Sequence, residues 1–452
     1  MSKASVITDE LKAQILAGRF HPGARLPSIR EAARLHGVSK NTMAEVYERL
    51  AARGLIEPRA GSGMYVTGSR PPPEPVEAPH IEEAISIVSL LRAQLDQNYV
   101  LRPGDGRPPP DWMEGVELRR ISSRASASRA VDAHGYGSPW GLRPLREWLV
   151  RSLAERGIQT GVDGVMLTHG VNHGLDLIIR HHLKPGDTVF VESPGYYPLF
   201  AKLALAQVQV VAITRGQDGP DLDEMEAALT RIKPRMFFIQ SQAHNPTGTS
   251  LSASHAFRLM RLAEAHDFLL VEDDVFADML PANLPRLAAF GLRDRVLYLG
   301  SFSKTLSASL RCGYICGAPG QIADFVNLKM ITMVSSSGQV EQMVLDCVSR
   351  GQYARHLRKL VARVKASQTA SLRALTEAGF APIVPGSLGF YIWLPLPIET
   401  DEEALTAAAF RKGIFLAPSS VFYPERAVIR PPAMRVNVAY GAEEKLIALL
   451  RG

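Results

Sequence analysis

The chain has 452 residues, 46% of them hydrophobic and 21% charged. This length and composition predict two or three domains and a sizeable core. No apolar run approaches the roughly 18 residues that a membrane helix needs. The first residues also lack the apolar stretch of a secretory signal, so we expect a cytoplasmic protein. The three cysteines (Cys312, Cys316 and Cys347) predict buried reduced thiols rather than a disulfide set, and no spacing predicts a metal site.

The formal net charge of +6 is unevenly distributed. Residues 1–70 carry 11 Lys or Arg against 6 Asp or Glu, so five of the six net charges lie there. A small basic segment of this kind is typical of nucleic-acid binding. The proline-rich stretch at 68–80 predicts a semi-rigid linker between a small domain, 1–67, and a large one, 81–452.

Three short helices are predicted in the small domain. The first ends near Ala17. Ser28 begins the second and forms a capping box with Glu31, and Ser39 caps the third. The tight turn at 36–38 makes the second and third helices a helix-turn-helix. A β-hairpin, or wing, follows at residues 55–66.

The second helix of such a pair enters the major groove with its first turn leading, and arginines nearby neutralise phosphates. Glycines at the wing tip permit close approach to a groove. The residues predicted to contact double-stranded operator DNA are Arg25, Ser28, Arg30, Ser39, Lys40, Asn41, Thr42, Gly61, Ser62 and Gly63. The alternative is that these are solvated charges beside an ordinary hairpin.

The stretch from Gly18 to Val66, GRFHPGARLPSIREAARLHGVSKNTMAEVYERLAARGLIEPRAGSGMYV, resembles the winged helix of GntR-type bacterial regulators. The resemblance covers nearly the whole module. It departs at Lys40, where the family more often has arginine. Because lysine cannot supply a bidentate fork to guanine, the resemblance implies an altered base preference there.

The large domain alternates apolar, β-rich runs with helical stretches such as Leu222–Leu229 and Ala256–His266. This alternation predicts an α/β domain with a mainly parallel sheet. The predicted strands are Val165–Leu167, Thr188–Glu192, Val208–Ile213, Met236–Gln240, Phe268–Glu272, Val296–Leu299 and Gly313–Cys316. A smaller α+β part is predicted from about Ile331 to the end, with strands at Phe390–Leu394 and Met434–Ala439.

The run Ser301-Phe302-Ser303-Lys304, with Arg311 seven residues later, is the most informative pattern of the large domain. A lysine near cationic and hydroxyl groups has a lowered pKa and forms a Schiff base with an aldehyde. The two serines and Arg311 suit a dianionic phosphate. Taken alone, the pattern also fits a serine-hydrolase dyad or a surface lysine.

Three further patterns favour the first interpretation. Asn245 lies in Ala-His-Asn-Pro-Thr-Gly after a predicted strand, where its amide suits a ring oxygen. Asp273 follows the predicted apolar strand Phe268–Glu272, where a buried carboxylate suits a pyridinium nitrogen. The run Gly170, Val171 and Asn172 precedes a helix whose first N–H groups hold a phosphate.

Along the chain, a glycine turn, Asn-Pro-Thr-Gly, an aspartate, a lysine and an arginine follow one another. The order of these five motifs resembles that of fold-type I pyridoxal-phosphate enzymes of the aminotransferase class I/II family, over roughly residues 95–450. The resemblance implies pyridoxal 5′-phosphate as cofactor and Lys304 as the internal aldimine. It assigns Asp273 to the pyridine nitrogen and Asn245 to the phenolic oxygen. The remaining implied residues are Gly170, Val171, Asn172, Ser301, Ser303 and Arg311 around the phosphate, Tyr196 stacked on the ring, Tyr136 reaching the partner subunit's phosphate, and Arg435 binding a substrate α-carboxylate.

Alternatives stay open for three of these residues. Tyr136 and Tyr196 also fit plain core aromatics, and Arg435 an ordinary structural salt bridge. Where the family usually has tyrosine, three residues after Asp273, this sequence has Phe276. The loss of a hydroxyl donor to the ring oxygen predicts a raised aldimine pKa and less efficient turnover, with cofactor binding retained. By analogy of position alone, residues 101–112 line the site entrance.

A GntR-type winged helix joined to an aminotransferase-like domain is the architecture of MocR-type regulators. The resemblance implies a head-to-tail homodimer that senses pyridoxal phosphate, or an amine or amino-acid effector bound as an external aldimine, and thereby changes the placement of its DNA-binding modules. Two alternatives remain: a working aminotransferase with an accessory DNA-binding module, which Phe276 weighs against, and a sensor of the cofactor alone. Arg435 argues against the latter, because such a sensor needs no carboxylate clamp.

Overall fold

The computed structural model describes residues 3–16, 19–59, 62–67, 79–95, 99–114, 134–291, 294–425, 428 and 430–451. The chain divides into two compact units, Met1–Ala78 and Pro79–Gly452. Gly61 and residues 68–78 of the predicted linker lie outside the described residues. Residues 79 and 80, also assigned to the linker from the sequence, are instead the start of a helix in the large unit. Among the described residues, no helix is long and apolar enough to cross a membrane.

The small unit contains the three predicted helices, α1 (Lys3–Leu16), α2 (Ile29–Leu35) and α3 (Lys40–Ala52). The Ser39 hydroxyl accepts a hydrogen bond from the Thr42 N–H at 3.1 Å, so it caps α3 as the sequence indicates. The Ser28 hydroxyl accepts from the Glu31 N–H at 3.3 Å. The reciprocal bond, from the Ser28 N–H to the Glu31 carboxylate, is not found among the described residues, so only half of the predicted capping box is present.

The wing is an antiparallel pair of strands, β1 (Ile56–Arg59) and β2 (Gly63–Val66), in which Ile56 lies opposite Val66. The small unit folds around one apolar cluster. It includes the side of α3 that the periodicity predicts, with Met43, Val46, Tyr47 and Leu50 at most 2% exposed. Burial of this face leaves the first turn of α3 on the surface.

The large unit is built on a seven-stranded sheet, and all seven predicted strands are present with ends within two residues of the prediction. Its strands are β3 (Val165–Thr168), β4 (Thr188–Ser193), β5 (Gln209–Thr214), β6 (Met236–Ile239), β7 (Leu269–Asp273), β8 (Val296–Ser301) and β9 (Gly313–Cys316). They lie in the order β3-β9-β8-β7-β6-β4-β5. Strand β9 runs in the direction opposite to the other six strands, which are parallel to one another. This confirms the mainly parallel α/β fold.

Helices cover both faces of this sheet. Before and between the strands lie α4 (Pro79–Ile87), α5 (Ser89–Leu95), α6 (Arg143–Glu155), α7 (Val171–His182), α8 (Tyr197–Leu205), α9 (Leu222–Leu229) and α10 (Ala253–His266). Neighbouring residues of β4 show the two-sided packing. Val191 belongs to the apolar cluster that contains Leu175 of α7, whereas Phe190 belongs to the one that contains Leu259 of α10. Strands covered on both faces read as continuous apolar runs, which is why the sequence revealed them.

The C-terminal part, predicted from about Ile331, begins with long helices. Helix α11 (Pro319–Met333) runs through Ile331, so the predicted boundary falls inside a helix. The following elements are α12 (Gly338–Ser349), α13 (Gln352–Glu377), β10 (Tyr391–Pro395), α14 (Glu402–Arg411), β11 (Ala433–Asn437) and α15 (Glu444–Arg451). Strands β10 and β11 pair antiparallel, with Trp393 opposite Arg435. This pairing directs Arg435 towards the site described next.

Candidate functional site

A cavity of about 480 Å³ lies at the carboxyl ends of the parallel strands, where ligands bind in open α/β sheets. Asp273 ends β7, Ser301 ends β8, and Gln240 follows β6 directly. Ten of the residues predicted from the sequence line this one cavity: Val171, Asn172, Tyr196, Asn245, Asp273, Ser301, Ser303, Lys304, Arg311 and Arg435. The structure thus brings together motifs that are up to 264 positions apart in the chain.

Lys304 is held in the cavity by a backbone carbonyl. Its Nζ donates a hydrogen bond to the Gly106 oxygen at 2.5 Å, and the Tyr391 hydroxyl donates to the same oxygen at 3.0 Å. Burial lowers the pKa of the Lys304 ammonium to about 8; the nearby Asp105 carboxylate opposes this shift and Arg435 adds to it. A larger fraction of the amine is therefore unprotonated, and nucleophilic, near neutral pH than for an ordinary lysine.

Asp273 is a buried carboxylate with a single hydrogen-bond donor. Its Oδ2 accepts from Gln240 Nε2 at 2.8 Å, and its Oδ1 has no partner among the described residues. Burial raises the pKa of Asp273 to about 7. The side chain of Gln240 also accepts from the Asn245 N–H at 2.8 Å, so it ties the two predicted residues together. From the sequence, Gln240 was predicted only as the last residue of a strand, without a role in the site. The one signal that could have identified it is a polar side chain at the end of an apolar strand.

An anion-binding group lies at the start of α7. Gly170 precedes this helix with φ +77°, and a Cβ added there would lie 2.6 Å from Arg311 Nη2. The Ser303 hydroxyl and Asn172 Oδ1 are buried and have no hydrogen-bond partner among the described residues. Among the described residues, Arg311 donates a single 3.3 Å bond, to the His169 oxygen. A helix N-terminus beside a guanidinium and the free Ser303 hydroxyl has the donor chemistry that a phosphate needs.

Arg435 is 1% exposed yet has no carboxylate within 4 Å among the described residues. Its Nη1 donates to Asn245 Oδ1 and its Nη2 to the Gly104 oxygen, both at 2.7 Å. The guanidinium carbon lies 5.0 Å from the ring centres of Tyr391 and Phe422. A buried cation without a counter-charge favours anion binding over the structural salt bridge that the sequence left open.

The structure differs from the sequence-based interpretation at Phe276. Its ring is 1% exposed and packs edge-on against Phe390 and Tyr391, with ring centres 5.4 and 5.7 Å away. It does not line the cavity, whereas Tyr391 does. Phe276 is therefore a core residue here, because a ring without a polar atom is buried best among other rings.

The two predicted tyrosines have different environments. Tyr196 lines the cavity, and burial raises the pKa of its hydroxyl above its usual value. Tyr136 is 86% exposed and is not part of the cavity in the single chain. Its assignment to the partner subunit's phosphate stays a prediction.

Residues 104–107 contact the cavity but were not among the residues predicted for the site. The Gly104 and Gly106 carbonyls bind Arg435 and Lys304, and Arg107 lines the cavity. The only sequence signal was a Gly- and Pro-rich stretch placed at the entrance by analogy. These contacts span 331 and 198 positions, so no local pattern predicts them.

On the small unit, the predicted DNA-contacting side chains are on the surface. Arg25, Arg30, Lys40 and Asn41 are exposed, and none of the three cations pairs with a carboxylate among the described residues. The hydroxyls of Ser39 and Thr42 lie 2.8 Å apart and cap α3, so these two residues stabilise the helix start that carries Lys40 and Asn41. Ser62 is half-buried and Gly63 exposed in the wing.

The fold and cavity define an aminotransferase-type α/β domain that follows a winged helix. Residues 94–452 match the family described as aminotransferase class I and II, and residues 3–66 match the bacterial regulatory proteins of the gntR family. The chain is 30% identical to the probable rhizopine catabolism regulatory protein MocR of Rhizobium meliloti, over 91% of this chain and 85% of that protein. The chain therefore belongs to the MocR-type GntR regulators, in which a winged helix is joined to an aminotransferase class I and II domain.

Other similar proteins fall in two groups. The uncharacterized HTH-type transcriptional regulator YdcR of Escherichia coli is 28% identical over 93% of this chain and 92% of its own length. The crystal structure of the kynurenine aminotransferase of Pyrococcus horikoshii superposes with a TM-score of 0.73 and 28% identity, covering 81% of this chain and 92% of that one. Regulators thus match the chain more completely than the enzyme does.

Because the pKa of Asp273 is raised, the stability of the folded protein should depend on pH. The folded protein retains a proton on this carboxyl up to about pH 7, whereas the unfolded chain loses it near 3.8. The folded state binds more protons in between, so stability falls as the pH rises through this window. Between pH 5 and 7, the free energy of unfolding of the cofactor-free large unit should fall by about 2 kcal/mol more in the wild type than in Asp273→Asn.

Urea denaturation at pH 5, 6 and 7 checks this expectation. Glu272, whose pKa burial also raises to about 7, is present in both proteins, so the difference isolates Asp273. Parallel pH profiles for wild type and variant would contradict the assigned protonation.

Proposed function

We propose that the protein is a pyridoxal-phosphate-dependent transcription regulator: the winged helix binds operator DNA, and the large unit binds the cofactor and an amine or amino-acid effector at Lys304. The observation that carries the proposal is the composition of one cavity. It holds a lysine of lowered pKa, a buried carboxylate and a buried arginine that pairs with no carboxylate of the described residues, together with Arg311 and the free Ser303 hydroxyl at the start of α7.

The residues present fit the cofactor. Two buried polar atoms without a partner among the described residues suit the cofactor: Asp273 Oδ1 can accept from a protonated ring nitrogen, and the Ser303 hydroxyl can donate to a phosphate. Gly170 leaves open the space beside Arg311 that any side chain would fill. When bound, pyridoxal phosphate supplies an aldehyde that condenses with primary amines and a ring that withdraws electrons.

The chain's own groups have separate tasks in this proposal. Lys304 supplies a nucleophilic amine, because burial keeps it partly unprotonated near neutral pH. Asp273 keeps a proton on the ring nitrogen through a buried ion pair. Arg435 binds the effector carboxylate with a guanidinium that the rings of Tyr391 and Phe422 hold in place. A ligand that binds one arrangement of the chain better than another shifts the population towards it.

Amino transfer is the second candidate function. The groups that turnover requires, Lys304, Asp273 and Arg435, all line the same cavity. The regulator is favoured because its relatives match over more of the chain and because Lys40 and Asn41 are presented on an exposed helix start. Rapid conversion of an amino donor and an α-keto acid by the purified protein would favour the enzyme.

We further propose a head-to-tail homodimer in which Tyr136 reaches the partner's cofactor phosphate. Two observations support this proposal. Tyr136 is 86% exposed in the single chain, and it lies at the position where related proteins have the tyrosine that makes this contact. A sensor of the cofactor alone is disfavoured, because Arg435 is an anion-binding group that the cofactor does not need.

The attachment of the cofactor is tested by absorbance. The purified protein should show a band near the visible edge, and Lys304→Ala should lose it, because no other amine of the described cavity is available to the aldehyde. Lys184→Ala, at an exposed lysine outside the cavity, is the control and should retain the band. Absence of a band even after adding pyridoxal phosphate would refute the cofactor half of the proposal.

The phosphate site is tested at Gly170. In Gly170→Ala the new methyl group would clash with Arg311 and strain the backbone at φ +77°, so we expect the cofactor to bind about tenfold or more weakly. Gly186→Ala is the matched control, since Gly186 has φ +87° but open space around its Cβ position. Absorbance titration with pyridoxal phosphate gives both affinities. Equal weakening in the two variants would show that strain alone is responsible.

The DNA half is tested at Lys40. Lys40→Ala should weaken binding to a duplex selected from random sequence by the wild-type protein about tenfold, and should reduce the slope of affinity against salt by about one phosphate contact. Lys12→Ala, an exposed lysine of α1, serves as control. Fluorescence anisotropy at several salt concentrations measures both quantities. If Lys40→Ala bound the duplex as tightly as the wild type, α3 would not be the recognition helix.

A further inference from the structure

The cavity contains a cation that the proposed function does not use. Four cationic side chains line it among the described residues: Lys304, Arg311, Arg435 and Arg107. The first three have assigned tasks, at the amine, the phosphate and the effector carboxylate. Arg107 alone is left to meet the remainder of an effector molecule, and its side chain is 32% exposed. Its availability therefore decides whether the site accepts a second carboxylate.

Arg107 is already paired. Its Nε donates to Asp105 Oδ1 at 3.2 Å and its Nη2 to Asp105 Oδ2 at 3.0 Å. These two donors form one of the guanidinium edges that can bind a carboxylate with two parallel bonds. The Arg107 backbone N–H donates to the same carboxylate at 2.9 Å. Nη2, which the Nη1–Nη2 edge shares, also donates to the Gln94 oxygen at 3.3 Å, so contacts within the chain already engage both edges.

The surroundings of Asp105 stabilise its ionised carboxylate. Besides Arg107, it accepts hydrogen bonds from Gln94 Nε2 at 2.8 Å and from Arg102 Nε at 2.9 Å, and its side chain is only 6% exposed. Burial alone would raise the pKa of Asp105, but the bonds and charges of Arg107 and Arg102 lower it overall. A fixed negative charge thus lies beside the one cation that a side-chain carboxylate would need.

Apolar side chains also line the cavity. They are those of Leu91, Leu95, Tyr197, Pro198 and Val275. Such a surface gains free energy from burying a hydrocarbon or aromatic side chain and loses it when an unpaired carboxylate is desolvated there.

We propose that Asp105, by occupying Arg107, makes the site selective for α-amino acids with apolar side chains and against those with a second carboxylate. The inference rests on the proposed function, since it requires an amino-acid effector held at Lys304 and Arg435. It adds the substrate class and assigns Asp105 and Arg107 as specificity-determining residues.

The experiment uses the full-length protein loaded with pyridoxal phosphate. Binding of L-phenylalanine, L-leucine, L-glutamate and L-aspartate is measured by isothermal titration calorimetry and, independently, by the shift of the cofactor absorbance band. The wild type should bind L-phenylalanine at least about tenfold more tightly than L-glutamate. Asp105→Asn keeps the shape and an acceptor oxygen but removes the charge. It should tighten L-glutamate binding about tenfold and leave L-phenylalanine nearly unchanged.

Two further variants separate the explanations. The double variant Asp105→Asn with Arg107→Met should lose the gain for L-glutamate, because the released cation is absent. Arg107→Met alone should change L-glutamate affinity by less than about threefold, since Arg107 is not available in the wild type. This second comparison does not depend on the folding of Asp105→Asn.

Several results would overturn the inference. These are tighter wild-type binding of L-glutamate than of L-phenylalanine, equal effects of Asp105→Asn on both ligands, or a large loss of L-glutamate affinity in Arg107→Met alone. A cofactor band that no amino acid shifts, with no heat of binding, would instead refute the proposed effector function and the inference with it. A missing band would refute the cofactor site itself, so the failures are distinguishable.

Discussion

The buried carboxylate of Asp273 imposes the constraint on which the arrangement of the site depends. A carboxylate without water needs hydrogen-bond donors or a cation, and this one has a single donor, Gln240, so its pKa rises to about 7. The same desolvation lowers the pKa of Lys304 to about 8. Two groups that ordinarily titrate more than six pH units apart are thereby brought close to neutrality in one cavity. Small changes in ligand charge can then shift their protonation.

The parallel sheet explains why these groups meet. Carboxyl ends of parallel strands lie at one edge, so residues that follow β6, β7 and β8 share a cavity however far apart they are in the chain. Strand pairing fixes their relative height: Asp273 is paired with Leu299, two residues before Ser301. The antiparallel β9 then returns the chain so that Gly313 lies opposite Ser301, which brings Arg311 back to the start of α7.

The sequence predicted those parts of the molecule whose signals are local. Strands buried on both faces are apolar runs, and the cap at Ser39 is a short-range pattern, so the fold and the helix-turn-helix were predicted closely. The motifs of Lys304, Asp273 and Arg311 have a recognisable order in the sequence, which predicted one shared site, and all three line the same cavity. The start of the C-terminal part, predicted near Ile331, has no sharp local signal, because α11 continues through Ile331 and ends at Met333.

Other features had no local signal. Whether Phe276 faces the ligand or the core depends on how β10 packs against it, which its spacing from Asp273 does not encode. Gln240 resembles any polar residue at a strand end until its two hydrogen bonds are seen. The segment 104–107 contacts Lys304 and Arg435 only through backbone carbonyls, which are independent of side-chain identity.

The charge balance of the cavity connects the site to a sensing role. Gly106 and Gly104 hold Lys304 and Arg435 through neutral carbonyl oxygens, which are weaker partners for a cation than a carboxylate is. Both cations are thus retained in place but can exchange these partners for a ligand at modest cost. Asp105, between the two glycines, is in contrast fixed by Arg102 and Arg107. A ligand that engages Lys304 and Arg435 together would release both bonds to one short backbone segment. Such a ligand would free residues 104–107 from these two bonds, and a ligand-dependent change of this kind is what a regulator requires and turnover alone does not.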